Sequence, residues 1–166
     1  MEYEHIIHTL APVYDANSRV LFLGTMPSPK SREYGFYYGH PQNRFWRALA
    51  GALACPVPQS VNEKTDFLLR HGIALWDTLK ACDIAGAADA SIKNAVPNDL
   101  GRILENADIS MIFTTGKTAH GYYCRYQLQS TGIEDICLPS PSPANARVSL
   151  DELTQAYNNR TYETYR

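Results

Sequence analysis

Four short apolar runs rich in β-formers, residues 20–23, 73–76, 111–114 and 133–138, alternate with longer stretches of helical period, and this alternation admits few folds. Strands joined by helix-length connections run parallel, and a parallel sheet is covered by helices on both faces. Right-handed crossovers are expected between them.

The connecting stretches carry their own start and stop signals. Phe45, Trp46, Leu49 and Leu53 recur at helical spacing, which predicts a helix over 43–54 ended by Pro56 and Pro58. Ser60 with Glu63 forms a capping box for a helix that carries Phe67 and Leu68 and stops at Gly72. Asn98 is placed to cap a helix bearing Leu100, Ile103 and Leu104, and Gly116 to open one running through Ala119, Tyr123 and Leu128. Ser149 with Glu152 is a second capping box, for the last helix. Residues 83–94 read as a long surface loop. The order β-α-α-β-α-β-α-β-α predicts a three-layer α/β/α domain with a central four-stranded parallel sheet, and ligands in such sheets bind outside the carboxyl ends of the strands.

Composition narrows the function. A chain of 166 residues, 45% of them hydrophobic, buries a real core but is short for two enzyme domains, so residues 1–166 are expected to form one. No run approaches the roughly 18 apolar residues of a membrane span, and the first ten residues carry Glu2 and Glu4 where a signal peptide has a basic flank. A cytoplasmic protein is expected. Cys55, Cys82, Cys124 and Cys137 form no C-x-x-C pair, which argues against zinc or an iron–sulfur cluster and for core thiols, Cys124 and Cys137 included. The net charge of −2 gives little attraction to nucleic acid. Yet residues 34–62, 110–133 and 136–150 contain no Asp or Glu, and they hold Arg44, Arg47, Lys117, Arg125 and Arg147. Buried segments also lack acids, so each stretch alone has two readings.

Two segments sit at predicted strand ends. Gly24-Thr25-Met26-Pro27-Ser28-Pro29 follows the first run, and Tyr38-Gly39-His40-Pro41-Gln42-Asn43-Arg44-Phe45-Trp46 comes shortly after it. Leu138-Pro139-Ser140-Pro141-Ser142-Pro143-Ala144-Asn145-Ala146-Arg147 follows the last. The alternating prolines exclude a helix or central strand. They leave a stiff loop with hydroxyls and amides suited to phosphate contact or duplex insertion, or simply a rigid connection.

Taken together, the Gly-x-x-Pro turn, the His-Pro-x-Asn-x-Phe-Trp segment and the Pro-Ser-x-Ser-Pro-Ala-Asn loop resemble the uracil-DNA glycosylase superfamily. The DNA-deoxyinosine (hypoxanthine-DNA) glycosylase branch is the most similar, and Ile73-Ala74-Leu75-Trp76-Asp77 and Phe113-Thr114-Thr115-Gly116-Lys117 fit it too. The resemblance spans residues 14–153. It implies a monomeric base excision repair enzyme that flips a deaminated base out of DNA and hydrolyses its N-glycosidic bond, leaving an abasic site, with no cofactor and no metal.

Uracil-specific members carry an Asp or Asn two residues after the first Gly, where this chain has Met26, which cannot handle a water. The branch places its important polar residue in the His-Pro-x-Asn segment, which maps to Asn43 as the catalytic candidate. An amide at a helix N-terminus can hold a water or touch the flipped nucleoside, or simply cap the helix. Gly24, Met26, Pro27, Tyr38, His40, Trp76 and Asp77 are candidates for the base pocket. Of these, His40 is as readily structural, Asp77 either accepts from a base N–H or caps the next turn, and Tyr38 with Phe36 and Tyr37 offers stacking surface or core. Ser28, Ser140, Pro141, Ser142, Pro143, Asn145 and Arg147 are candidates for DNA contact. His71 and His120 have no catalytic role in this reading. Four alternatives stand beside it: a mismatch-directed uracil glycosylase, a non-catalytic damaged-DNA-binding module, a small-molecule nucleoside hydrolase, and a flavodoxin-like or dinucleotide-binding domain, the last weakened by the absence of G-x-G-x-x-G after the first run.

Overall fold

The computed structural model of the chain describes residues 2–164, with side chains as far as Asn158. Its elements run β1 (Glu4–Ile7), β2 (Val20–Gly24), α1 (Pro29–Tyr34), α2 (Phe45–Ala52), α3 (Val61–Arg70), β3 (Ile73–Asp77), β4 (Leu79–Ile84), β5 (Lys93–Pro97), α4 (Gly101–Leu104), β6 (Met111–Thr115), α5 (Lys117–Tyr126), α6 (Leu128–Thr131), β7 (Asp135–Leu138) and α7 (Leu150–Thr164). No helix among the described residues is long and apolar enough to cross a membrane.

All four expected strands pair in one parallel sheet, in the order β3-β2-β6-β7. Strand β2 is central and buried along its whole length. Its alternating side chains define the two faces. Phe22 lies beside Phe113 of β6, with ring centroids 5.0 Å apart, and meets Phe45 of α2 and Tyr157 of α7, so α2 and α7 cover this face. Thr114 points to the other face, where its hydroxyl and His120 of α5 share the carboxylate of Asp135. Helices therefore lie on both sides of the sheet, as expected. Val13 exchanges two backbone hydrogen bonds with Leu75, which covers the free edge of β3.

Caps explain the helix boundaries. Ser60 Oγ accepts from the Glu63 N–H at 3.0 Å, and Ser149 Oγ from the Glu152 N–H at 3.1 Å, both as the capping boxes predict. Gly72 follows α3 in the left-handed region, with φ of 68°. The expected helix from Gly116 is interrupted at Gln127, so α5 and α6 are separate.

A second sheet was not expected. Strands β1, β4 and β5 form an antiparallel sheet that takes up both ends of the predicted 83–94 loop. The chain passes from β3 into β4 through Thr78 alone, and two buried amides satisfy the backbone at that crossing. Asn98 donates to the carbonyls of Asp77 and Leu79, and Gln127 to those of Thr78 and Asn98. Asn98 is thus a bracket between sheets and does not cap α4. The N-cap is Leu100, with no side-chain cap, and Asp99 accepts from the Gly101 N–H at 2.9 Å in the turn that leads into the helix. The cysteines are also corrected: Cys82 is buried and Cys55 half-buried, but Cys124 and Cys137 are exposed.

Candidate active site

A cleft of about 1050 Å³ opens at the carboxyl ends of the parallel strands, where Gly24, Asp77, Thr115 and Leu138 come together. Gly24 makes its floor possible. A Cβ at this position would stand 2.5 Å from Asp77 Oδ1 and 2.9 Å from the Tyr38 hydroxyl, closer than any side chain tolerates. The missing side chain lets a carboxylate, a phenol and the Thr115 hydroxyl crowd one point.

Each group on that floor is held. Asp77 Oδ2 lies 2.7 Å from His8 Nε2, with the two side chains only 6% and 1% exposed. Asp77 does not cap a turn, because β4 and not a helix follows it. Tyr38 sits in the left-handed region at φ 52°, its ring is stacked on Phe45 at 4.1 Å, and its hydroxyl meets Thr115 Oγ1 at 2.8 Å. Burial, reinforced by the negative charge of Asp77, raises the Tyr38 phenol well above its ordinary range, so it stays neutral. Tyr37 lines the cleft but spends its hydroxyl on the carbonyls of Leu10 and Ala11, while Phe36 is core against Trp46.

Met26, Pro27, His40 and Asn43 also line the cleft. His40 Nδ1 accepts from the Gln42 N–H at 3.0 Å, which leaves Nε2–H as the ring's donor. Asn43 Oδ1 accepts from the Phe45 N–H at 2.9 Å, so the amide does help start α2. That bond uses one lone pair of Oδ1. The other lone pair and the Nδ2 protons remain for a water or a nucleoside in the cleft.

The 139–147 loop forms the outer rim. It is knitted by its own polar groups: Ser140 Oγ accepts from the Ser142 N–H, Ser142 Oγ from the Ala144 N–H, and Asn145 Nδ2 donates to the Ser140 carbonyl. In both serines the oxygen accepts, leaving the O–H proton free to donate to a phosphate. Gly116, with φ of 124°, lets the loop close in, since a Cβ there would lie 3.1 Å from Ser140 Cβ. Arg44 clamps the loop from below. Its guanidinium donates to the carbonyls of Ser142 at 3.1 Å, Asn145 at 3.0 Å and Val148, and its N–H to that of Pro141. Arg44 is therefore a fastening, not a phosphate contact.

Of the residues expected here, Gly24, Met26, Pro27, Ser28, Tyr38, His40, Asn43, Asp77, Ser140, Pro141, Ser142, Pro143, Asn145 and Arg147 all line the cleft. Ser28 also caps α1, accepting from the Ser31 N–H at 3.1 Å. Trp76 does not line it. As the neighbour of Asp77 on a strand it projects to the opposite face, where Arg102 lies over its ring at 5.9 Å. Sequence reasoning missed His8, Thr115 as a partner of Tyr38, and Asp89, which lines the cleft from the segment between β4 and β5. Desolvation, then the charge of Asp77, pushes the Asp89 carboxyl up to about 6. The exposed cations Lys117 and Arg147 stand on the rim.

The sequence profile of the uracil DNA glycosylase superfamily matches residues 11–164. The chain belongs to the uracil DNA glycosylase superfamily. It is 35% identical over 139 residues to a hypoxanthine DNA glycosylase of Methanosarcina acetivorans, covering 82% of this chain and 87% of that protein. A hypoxanthine DNA glycosylase of Methanosarcina barkeri matches at the same identity, covering 82% and 86%. A solution NMR structure of a candidate uracil DNA glycosylase from M. acetivorans superposes with a TM-score of 0.77 at 30% identity, covering 92% of this chain and 96% of that one. A cleft at the carboxyl ends of the strands, floored by a glycine and rimmed by a proline–serine loop, is how this glycosylase superfamily member is built.

Proposed function

We propose that the protein is a monofunctional DNA-deoxyinosine glycosylase, acting as a single-domain cytoplasmic monomer that hydrolyses the N-glycosidic bond of hypoxanthine in DNA and leaves an abasic site. The observation that carries this reading is the Asp77 carboxylate, locked by His8 beside the bare Gly24. A fixed carboxylate accepts the N1–H of hypoxanthine, whereas adenine presents a lone pair at N1 and is repelled. Discrimination of this kind is strong because the buried acceptor cannot turn away. Two relatives that carry the hypoxanthine name support the same substrate.

Cleavage puts positive charge on the sugar and negative charge on the departing base. His40 Nε2–H and the backbone amides near Met26 and Ser28 are the donors to base or phosphate in this reading, and all three residues line the cleft. Asn43 holds the attacking water through Oδ1, a role Met26 cannot take. The chemistry asks for no covalent nucleophile, so strand cleavage does not follow. Uracil offers its N3–H to the same carboxylate and is the second substrate.

Oligonucleotides containing hypoxanthine, uracil or xanthine, incubated with the protein and then cleaved at abasic sites with alkali, test this. Hypoxanthine is expected to be released fastest, with free inosine untouched. Tight binding of damaged duplex without any abasic product, or hydrolysis of free inosine alone, overturns the reading.

A further inference from the structure

On the face of the sheet away from α2, outside the cleft, three side chains of different chemistry converge. His120 and Cys124 lie one turn apart on α5, at the i, i+4 spacing that stacks side chains on one helix face. Asp135 meets them from the start of β7. One donor atom from each lies within 4.8 Å of the other two. Cys124 Sγ is 3.6 Å from His120 Nδ1 and 3.7 Å from Asp135 Oδ1. Ligands of a tetrahedral zinc ion stand roughly 3.3–3.6 Å apart, from metal–ligand lengths near 2.0–2.3 Å. The His120 Nδ1 to Asp135 Oδ2 separation of 2.7 Å is that of a hydrogen bond, so a cation entering here replaces one proton and spreads the pair by about half an ångström.

The carboxylate is prepared for such a partner. Its side chain is 3% exposed, and Thr114 donates to Oδ2 at 2.6 Å from the neighbouring strand, which fixes its orientation as the outer partners of metal ligands do. His120 is 44% exposed and Cys124 is exposed, so a hydrated ion can reach the group and solvent can complete its coordination.

We propose that His120, Cys124 and Asp135 form a binding site for a divalent transition-metal cation of the zinc type. Thiolate with imidazole selects zinc, cobalt or copper over magnesium and calcium, which prefer all-oxygen shells. None of the three residues lines the cleft, so the cation staples α5 to β7 and takes no part in base release. Since β7 runs directly into the 139–147 loop, its effect is on the stability of that strand and the loop it carries.

Titration of the purified protein with cobalt(II) tests the site without reference to activity. One equivalent is expected to bind with a thiolate-to-cobalt charge-transfer band in the near ultraviolet, displaced by zinc and unaffected by excess magnesium. Cys124→Ala, at an exposed position, and His120→Ala, at a half-buried one, are expected to fold and to abolish the band, and Thr114→Val to weaken binding about 10–100-fold. Zinc raises the melting temperature of the wild type and not of Cys124→Ala. Release of hypoxanthine continues in chelator at an unchanged rate. The absence of a charge-transfer band under excess cobalt, or a band that survives Cys124→Ala, overturns the proposal and leaves a hydrogen-bonded triad only.

Discussion

At the scale of single residues, the polar groups that line the cleft are each held by a neighbour: Asp77 by His8, Tyr38 by Thr115 and Asn43 by the Phe45 N–H. Asn43 Oδ1 accepts from the Phe45 N–H at the start of α2, and the proposed reaction assigns its other lone pair to water. Asn43→Ala is expected to lose about 1 kcal/mol of stability, the usual net worth of one hydrogen bond. Base release falls far more, by the roughly 3–4 kcal/mol typical of a transition-state hydrogen bond, seen in kcat with little change in duplex affinity. A variant that melts much lower yet keeps its turnover overturns the assignment. Asp89 makes a separate prediction. Its carboxyl is raised to about 6, so the folded protein holds a proton there that the unfolded chain releases near 4, and ionisation costs stability as pH rises between those values. Phosphates entering the cleft oppose the same charge. Duplex affinity should therefore rise as pH falls through about 6, and Asp89→Asn should flatten that profile while tightening binding at pH 7.5. Binding isotherms at pH 5.5 and 7.5 for both proteins decide it.

At the scale of elements, the four parallel strands were legible because each contains a short run rich in β-formers with helical spacers on either side, although Glu134 and Asp135 interrupt the last. The second sheet was not. Only one residue of β1 is buried, so its sequence carries no period, and β4 pairs with β5 through two register shifts that break the alternation a reader would look for. The rim loop was recognisable from its prolines, but the clamp beneath it was not. Arg44 stands beside Asn43 in an acid-free stretch that a nucleic-acid surface and a buried segment explain equally, until its guanidinium is seen bound to carbonyls about a hundred residues away. Arg44→Lys keeps the charge and loses the planar fork that reaches several carbonyls. It is expected to loosen the 139–147 loop, increasing amide exchange or proteolysis there. Activity on fully paired duplex should fall more than on single strands, because only the duplex must be opened against a few kcal/mol of stacking and pairing. Equal losses on both substrates, with the loop still protected, would mean that the clamp acts on the pocket and not on the wedge.

Across the whole molecule, the hidden part of the site is what joins distant segments. His8 pairs with Asp77 across 69 residues and lies in a stretch whose sequence offers no motif, so no local reading could have found it. The charge problem posed by a net −2 also resolves at this scale. Asp77 and Asp89 lie inside the cleft, whereas its lining also presents the exposed cations Lys117 and Arg147, both without an acidic partner among the described residues. Each phosphate neutralised contributes about −0.9 to the slope of log affinity against log salt on duplex DNA. Two rim cations therefore predict a slope of about −2, shallow for a DNA-binding protein, with shape and the flipped base supplying the remaining affinity. Arg147→Ala should reduce that slope by about 0.9 and impair release from paired duplex more than from single strands if the loop that carries this exposed side chain opens the duplex. An unchanged slope would place Arg147 off the phosphate track. An equal loss on both substrates would then confine the 139–147 loop to supporting the pocket, with the opening of the duplex left to other residues.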